Sequence, residues 1–88
     1  MTPKEFHISK KDGIYLCASS ECKKCEQQKK LMTHISYTLI ECELDPELIY
    51  QNYNVDLIPV VRVYKNGEIV FEKILSGSDK LEEIWSYV

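Results

Sequence analysis

The chain has 88 residues, enough for a single domain with a compact core and short loops. Its 44% hydrophobic and 28% charged content excludes a disordered chain. Eleven basic against fourteen acidic residues leave a formal net charge of −3, with the lysines scattered apart from two short clusters. Without a basic field to attract phosphates, no nucleic-acid partner is expected. No run approaches the roughly 18 apolar residues of a membrane span, and "MTPKEFHISKK" lacks the apolar stretch of a secretory signal. The expected setting is therefore cytoplasmic, without a membrane partner. In that reducing compartment four cysteines point to redox catalysis or metal binding rather than to a structural disulfide framework.

"TPKE" at residues 2 to 5 predicts a helix start, with Thr2 as cap, Pro3 at the first helical position and Glu5 closing a capping box. This helix should run to about Lys10 and stop at Asp12-Gly13. "GIYLCA" is an apolar run without alternation, expected as a strand covered on both faces. A loop then delivers Cys22 to a helix from about Lys23 to His34, with Leu31, Met32 and Ile35 inward and the lysines outward. "YTLIECEL" at 37 to 44 alternates Ile40, Cys42 and Leu44 with Glu41 and Glu43, the pattern of a half-exposed strand. Asp45-Pro46 caps a short helix through "ELIYQNY". Strands at about 60–65 and 68–75 flank Asn66-Gly67, a preferred pair for a two-residue hairpin turn. "SGSDKLEEIWSYV" predicts a final amphipathic helix, capped by Asp79 with Glu82, and carrying Leu81, Ile84, Trp85 and Val88 inward. The order α-β-α-β-α-β-β-α predicts an α/β domain over residues 1–88, with a mostly parallel central sheet and an antiparallel edge hairpin.

The chemistry concentrates in "CASSECKKC". A cysteine at the first turn of a helix faces unpaired N–H groups and the positive end of the dipole, which stabilise a thiolate, the attacking species in disulfide exchange. Lys23 and Lys24 add positive charge beside Cys22, or form the solvated face of the helix. Cys25 follows one helical turn later, close enough to attack a mixed disulfide formed on Cys22. Cys22 is therefore the expected exposed nucleophile and Cys25 the more buried resolving thiol. Other readings stay open. C-x-x-C supplies two of the four ligands of a zinc site, with Cys17 and Cys42 needed as the others. Cys17, Cys22 and Cys25 also match the C-x4-C-x2-C spacing of an iron–sulfur loop, with Cys42 as a fourth ligand. Cys17 and Cys42 are most simply small core residues. His7 and His34 lack a partner at metal-ligand spacing and are expected at the surface or at helix ends.

Over nearly its whole length the chain resembles the thioredoxin superfamily. The resemblance rests on "GIYLCA", "CKKC" opening a helix, "TLIECEL" ending in Asp45, "LIPVVRVYKNGE" and the segment after Gly77. It implies a thioredoxin-like sheet with helices on both faces and strands of Cys17 and Cys42 side by side. It also implies a cis Ile58-Pro59 bond opposite the dithiol, with Ile58 offering backbone hydrogen bonds to an extended substrate. Gly77, Ser78 and Asp79 resemble the glutaredoxin segment that holds the γ-glutamyl end of glutathione, although Asp79 also fits a helix cap. The departures are Glu21 before "CKKC", the absence of Cys-Gly-Pro-Cys and Cys-Pro-Tyr-Cys, and Leu16 where thioredoxin buries an aspartate. The implied function is a monomeric thiol–disulfide oxidoreductase without a bound cofactor or metal, reducing protein disulfides and restored by a flavoprotein reductase or glutathione. The rival is a non-enzymatic module of the same fold whose cysteines bind metal, an iron–sulfur cluster or a partner protein.

Overall fold

The computed structural model describes residues 1–9 and 11–87. The expected helix end at Lys10 and the inward Val88 lie outside the described residues. Helix α1 spans Pro3–Ser9. Its capping box forms in both directions: Thr2 Oγ1 accepts from the Glu5 N–H at 3.1 Å, and Glu5 Oε1 from the Thr2 N–H at 2.8 Å. Strand β1, Gly13–Ala18, is followed by helix α2, Lys23–Leu31. Strand β2 covers Thr38–Glu41, helix α3 Pro46–Tyr53, strand β3 Val60–Lys65 and strand β4 Glu68–Ile74. The hairpin turn has positive φ at both Asn66 and Gly67, the geometry that matches strand twist. Asp12 fastens it, accepting from the Asn66 N–H at 2.8 Å and the Gly67 N–H at 3.3 Å.

The sheet order is β2-β1-β3-β4. Only β1–β2 is parallel, whereas β1–β3 and β3–β4 are antiparallel. The sheet is thus mixed, not mostly parallel. The reason lies in the connection after β2. The eight residues of α3 rise about 12 Å, and residues 54–59 bring the chain back to the end where β1 finishes, so that Val60 pairs with Cys17. A strand entering there must run opposite to β1.

Strand β1 is covered on both faces. Leu16 and Ala18 join Cys25, Met32, Val61, Val63, Leu81 and Ile84 under α2. Tyr15 and Cys17 join Phe6, Ile40, Cys42 and Ile49 under α1 and α3. Alternate β1 side chains therefore enter opposite core layers, which is why the run shows no polar alternation.

Three expected elements are shorter than their sequences suggest. Helix α2 ends at Leu31 rather than His34, tightening into i→i+3 bonds from Met32 N to Lys29 O and from Ile35 N to Met32 O. Strand β2 gives way to a 3₁₀ turn at Cys42–Leu44, which rotates Leu44 out to solvent. The final helix is a 3₁₀ turn, Glu82–Ser86, entered through Leu81 with φ of 57°. A period of three keeps Leu81 and Ile84 in the core and brings Tyr87 onto Phe71 at 4.8 Å, while Trp85 turns outward.

Candidate functional site

The carboxyl end of β1, the amino end of α2 and the amino end of β3 converge at one end of the sheet. Burial of Leu16, Cys17 and Ala18 fixes where the chain leaves β1. The loop that follows is tied down by Glu43, whose carboxylate accepts from Ser19 Oγ at 3.0 Å and from the Ser20 N–H. These bonds hold the Glu43 carboxyl below the usual carboxylate range, the Ser20 N–H contributing most. The Cys22 N–H then donates to the Ser19 carbonyl at 3.2 Å.

Cys22 is the N-cap of α2. Its backbone is extended, with φ −97° and ψ 116°, and its Sγ accepts from the Cys25 N–H at 3.2 Å. The sulfur thus takes the place that a serine or aspartate oxygen fills at other helix starts. Cys22 is partly exposed, whereas Cys25 has no exposed surface. Burial, followed by its hydrogen bond with Cys22, pushes the Cys25 thiol up to about 11, against the opposing pull of the Ser19 N–H. Near neutral pH Cys25 holds its proton.

The Ile58-Pro59 bond is cis. Pro59 is buried, and its carbonyl accepts from the Leu75 N–H at 2.8 Å. Ile58 packs against the same core layer as Cys22 and Cys25. Among the described residues its N–H and C=O have no hydrogen-bond partner. Lys23 and Lys24 project into solvent from the first turn of α2. Gly77, with φ +99°, lies against that turn, and a Cβ there would be 3.2 Å from the Lys24 carbonyl oxygen. Ser78 is exposed. Asp79 does not cap a helix through Glu82. Its carboxylate accepts from the Ser76 N–H at 2.7 Å and Ser76 Oγ at 2.9 Å and pairs with Lys73 at 3.4 Å. The Ser76 N–H is the main reason its pKa is lowered.

Sequence reasoning missed three supporting residues. Gln28, fully buried, donates from Nε2 to the Asp79 carbonyl at 2.7 Å and accepts from the Asp79 N–H at 3.2 Å, pinning the 76–79 loop to α2. Its only sequence signal is its place one turn after Cys25. Ser19 and Glu43 brace the dithiol loop through a pairing between distant segments, which nothing local announces. His7 is engaged with Tyr53 Oη at 2.6 Å, away from the cysteines.

The four cysteines divide between the two core layers, Cys22 and Cys25 on one and Cys17 and Cys42 on the other. Among the described residues no three His, Cys, Asp or Glu side chains gather into a metal-binding set. A four-cysteine zinc or iron–sulfur centre needs ligands that this sheet holds apart. No helix among the described residues is long and apolar enough to cross a membrane.

No protein-family model matches the chain, and no curated protein matches it in sequence. Solved structures do match in shape. Plasmodium falciparum thioredoxin superposes with a TM-score of 0.74 at 19% identity, covering 99% of this chain and 94% of the other. Chlamydomonas reinhardtii thioredoxin f2 gives 0.75 at 14% identity over 99% and 92%. Malassezia sympodialis thioredoxin gives 0.66 at 13% over 94% and 81%. The protein is a module with the thioredoxin fold, carrying a C-x-x-C pair at a helix start in an arrangement consistent with a redox active site.

Proposed function

We propose that the protein is a thiol–disulfide oxidoreductase that reduces protein disulfides. The observation that carries this reading is the pairing of a partly exposed Cys22 at the α2 N-cap with a fully buried, protonated Cys25 one turn along. The Cys22 thiolate attacks one sulfur of a substrate disulfide, forming a mixed disulfide and releasing the other sulfur as a thiolate. Cys25 then gives up its proton and attacks the Cys22 sulfur. The second substrate thiol leaves, and the Cys22–Cys25 bond carries the two electrons' worth of oxidation. An external reductant, a flavoprotein reductase or glutathione, restores the dithiol. The vacant N–H and C=O of Ile58 beside the cis Pro59 offer strand-like hydrogen bonds to an extended substrate segment. Lys23 and Lys24 supply positive charge at the mouth of the site. By the same reading the protein acts as a monomer in a reducing compartment such as the cytoplasm.

The test is to trap the intermediate. With a disulfide-bonded peptide, Cys25→Ser should accumulate a mixed disulfide on Cys22, and Cys22→Ser should accumulate none. A Cys25→Ser protein that stays unmodified at Cys22 contradicts the reading. Glutathione as reductant makes a separate demand: its γ-glutamyl ammonium would have to share the Asp79 carboxylate with Ser76, beside Gly77 and Ser78. Asp79→Asn should then slow turnover with glutathione several-fold and leave turnover with dithiothreitol unchanged. Equal turnover with glutathione before and after the change removes these residues from the reductant site.

A further inference from the structure

The sheet face opposite the dithiol holds two more thiols that the proposed reaction does not use. Cys17 pairs through β1–β2 with Ile40, and Cys42 lies two residues beyond Ile40, on the same face and just past the last ladder pair, Ala18–Glu41. The two side chains share one buried cluster, where the Cys42 thiol donates to the Ile40 carbonyl oxygen at 3.7 Å. The neighbouring Cys42 is the main reason the Cys17 pKa is lowered, with burial opposing it and Arg62 adding to it. The neighbouring Cys17 and burial push the Cys42 thiol up. Both residues are over nine-tenths buried, at 3% and 6% exposure. Yet Cys42 also lines a cavity of about 280 Å³ that reaches Ile58, with Ile49 on its apolar wall and the carboxylates of Glu43 and Asp56 on its polar side.

We propose that Cys17 and Cys42 form a second redox-active dithiol, reached through this cavity by a small uncharged disulfide. The carboxylates of Glu43 and Asp56 repel anionic oxidants, and the apolar wall accepts a compact neutral one. Cys42 attacks one sulfur of the small disulfide, and its proton goes to the R–S group that is displaced. A Cys42–S–S–R bond forms and R–SH leaves. Cys17 then attacks the Cys42 sulfur and gives its proton to the second departing thiolate. Two electrons pass from the cysteine pair to the small disulfide, which ends as two R–S groups no longer bonded to each other. Closing the bond brings the sulfurs to about 2.05 Å. Cys42 can follow because it lies beyond the ladder at the end of an edge strand only four residues long. The movement has a route to the first dithiol. Ser19, two residues after Cys17, hydrogen-bonds Glu43, the neighbour of Cys42, through Oγ, and its backbone pulls the Cys25 pKa down.

This proposal does not rest on the reactivity of Cys22 and Cys25, and its test removes them. The Cys22→Ser/Cys25→Ser chain is treated with bis(2-hydroxyethyl) disulfide, denatured, alkylated and mapped by mass. The expected product is a monomer two hydrogens lighter, with the Cys17 and Cys42 peptides cross-linked and dithiothreitol restoring both thiols. Adding Cys42→Ser should abolish the cross-link. Glutathione disulfide, which is anionic, should react at least about tenfold more slowly. Two thiols that still alkylate, or two separate adducts without a cross-link, overturn the proposal, as does equal reactivity of the two oxidants. Should the double variant fail to fold, the same mapping on the unaltered chain decides: a Cys17–Cys42 link supports the pair, and its absence overturns it.

Discussion

A sulfur at an N-cap and a thiol buried one turn later are held by the same local geometry, yet they meet different surroundings. Cys22 faces solvent at the end of a loop, while Cys25 is enclosed by Leu16, Val61 and the inner face of α2. Burial keeps Cys25 neutral, so in the proposed reaction its attack on a mixed disulfide would be gated by loss of its proton. The sign follows directly. Only the thiolate attacks, and a pKa raised to about 11 leaves about one part in ten thousand ionised at pH 7. Forming the mixed disulfide alters the bond with Cys22 but leaves burial, the larger cause, in place. The resolving step should therefore quicken by about tenfold per pH unit from neutrality and level off near the Cys25 pKa. Rapid-quench trapping of the mixed disulfide between pH 7 and 10 measures it. A resolution rate flat across that range contradicts the assignment of Cys25. Leu16 fits this picture: an apolar side chain beneath the dithiol offers no acceptor for that proton.

At the scale of elements, α2 carries the site and is anchored from outside the sheet. Gln28 spends both ends of its amide on the Asp79 backbone. Gln28→Leu leaves that N–H and C=O without partners and should cost about 1–3 kcal/mol in urea unfolding. It should also loosen the contact of Gly77 with Lys24, increasing the exchange of the Asp79 amide proton. An unchanged urea midpoint contradicts this role. The sequence made some elements plain and hid others, for physical reasons. Thr2 with Glu5, Asp45 with Pro46, and Asn66-Gly67 announce themselves because their signals are local and need no tertiary partner. The placement of C-x-x-C at a helix start was legible on the same ground, since it is a short-range pattern. Helix and strand ends were less so. Leu44 continues the alternation of β2 on paper, but the turn at Cys42 reverses its direction. Asp79 matches a capping pattern with Glu82, but the nearer Ser76 N–H takes its carboxylate first.

The whole molecule depends on pairings that no local pattern encodes. Strand direction is one: the alternation of elements suggests parallel neighbours, and only the return of residues 54–59 to the end of β1 makes β3 antiparallel. Arg62 is another. Amid the apolar "VVRVYK", this residue is buried and donates to Glu72, to Tyr64 Oη at 3.3 Å and to the Tyr53 carbonyl. The sheet also sorts the cysteines, placing Cys22 and Cys25 in one layer and Cys17 and Cys42 in the other. That division makes the central claim open to direct measurement. The purified chain is equilibrated through a series of reduced-to-oxidised dithiothreitol ratios, its free thiols are trapped, and each is located by mass. The account predicts a reversible two-electron couple in which Cys22 and Cys25 lose their thiols together and regain them together. A Cys22 and Cys25 that remain unlinked at every ratio would contradict it.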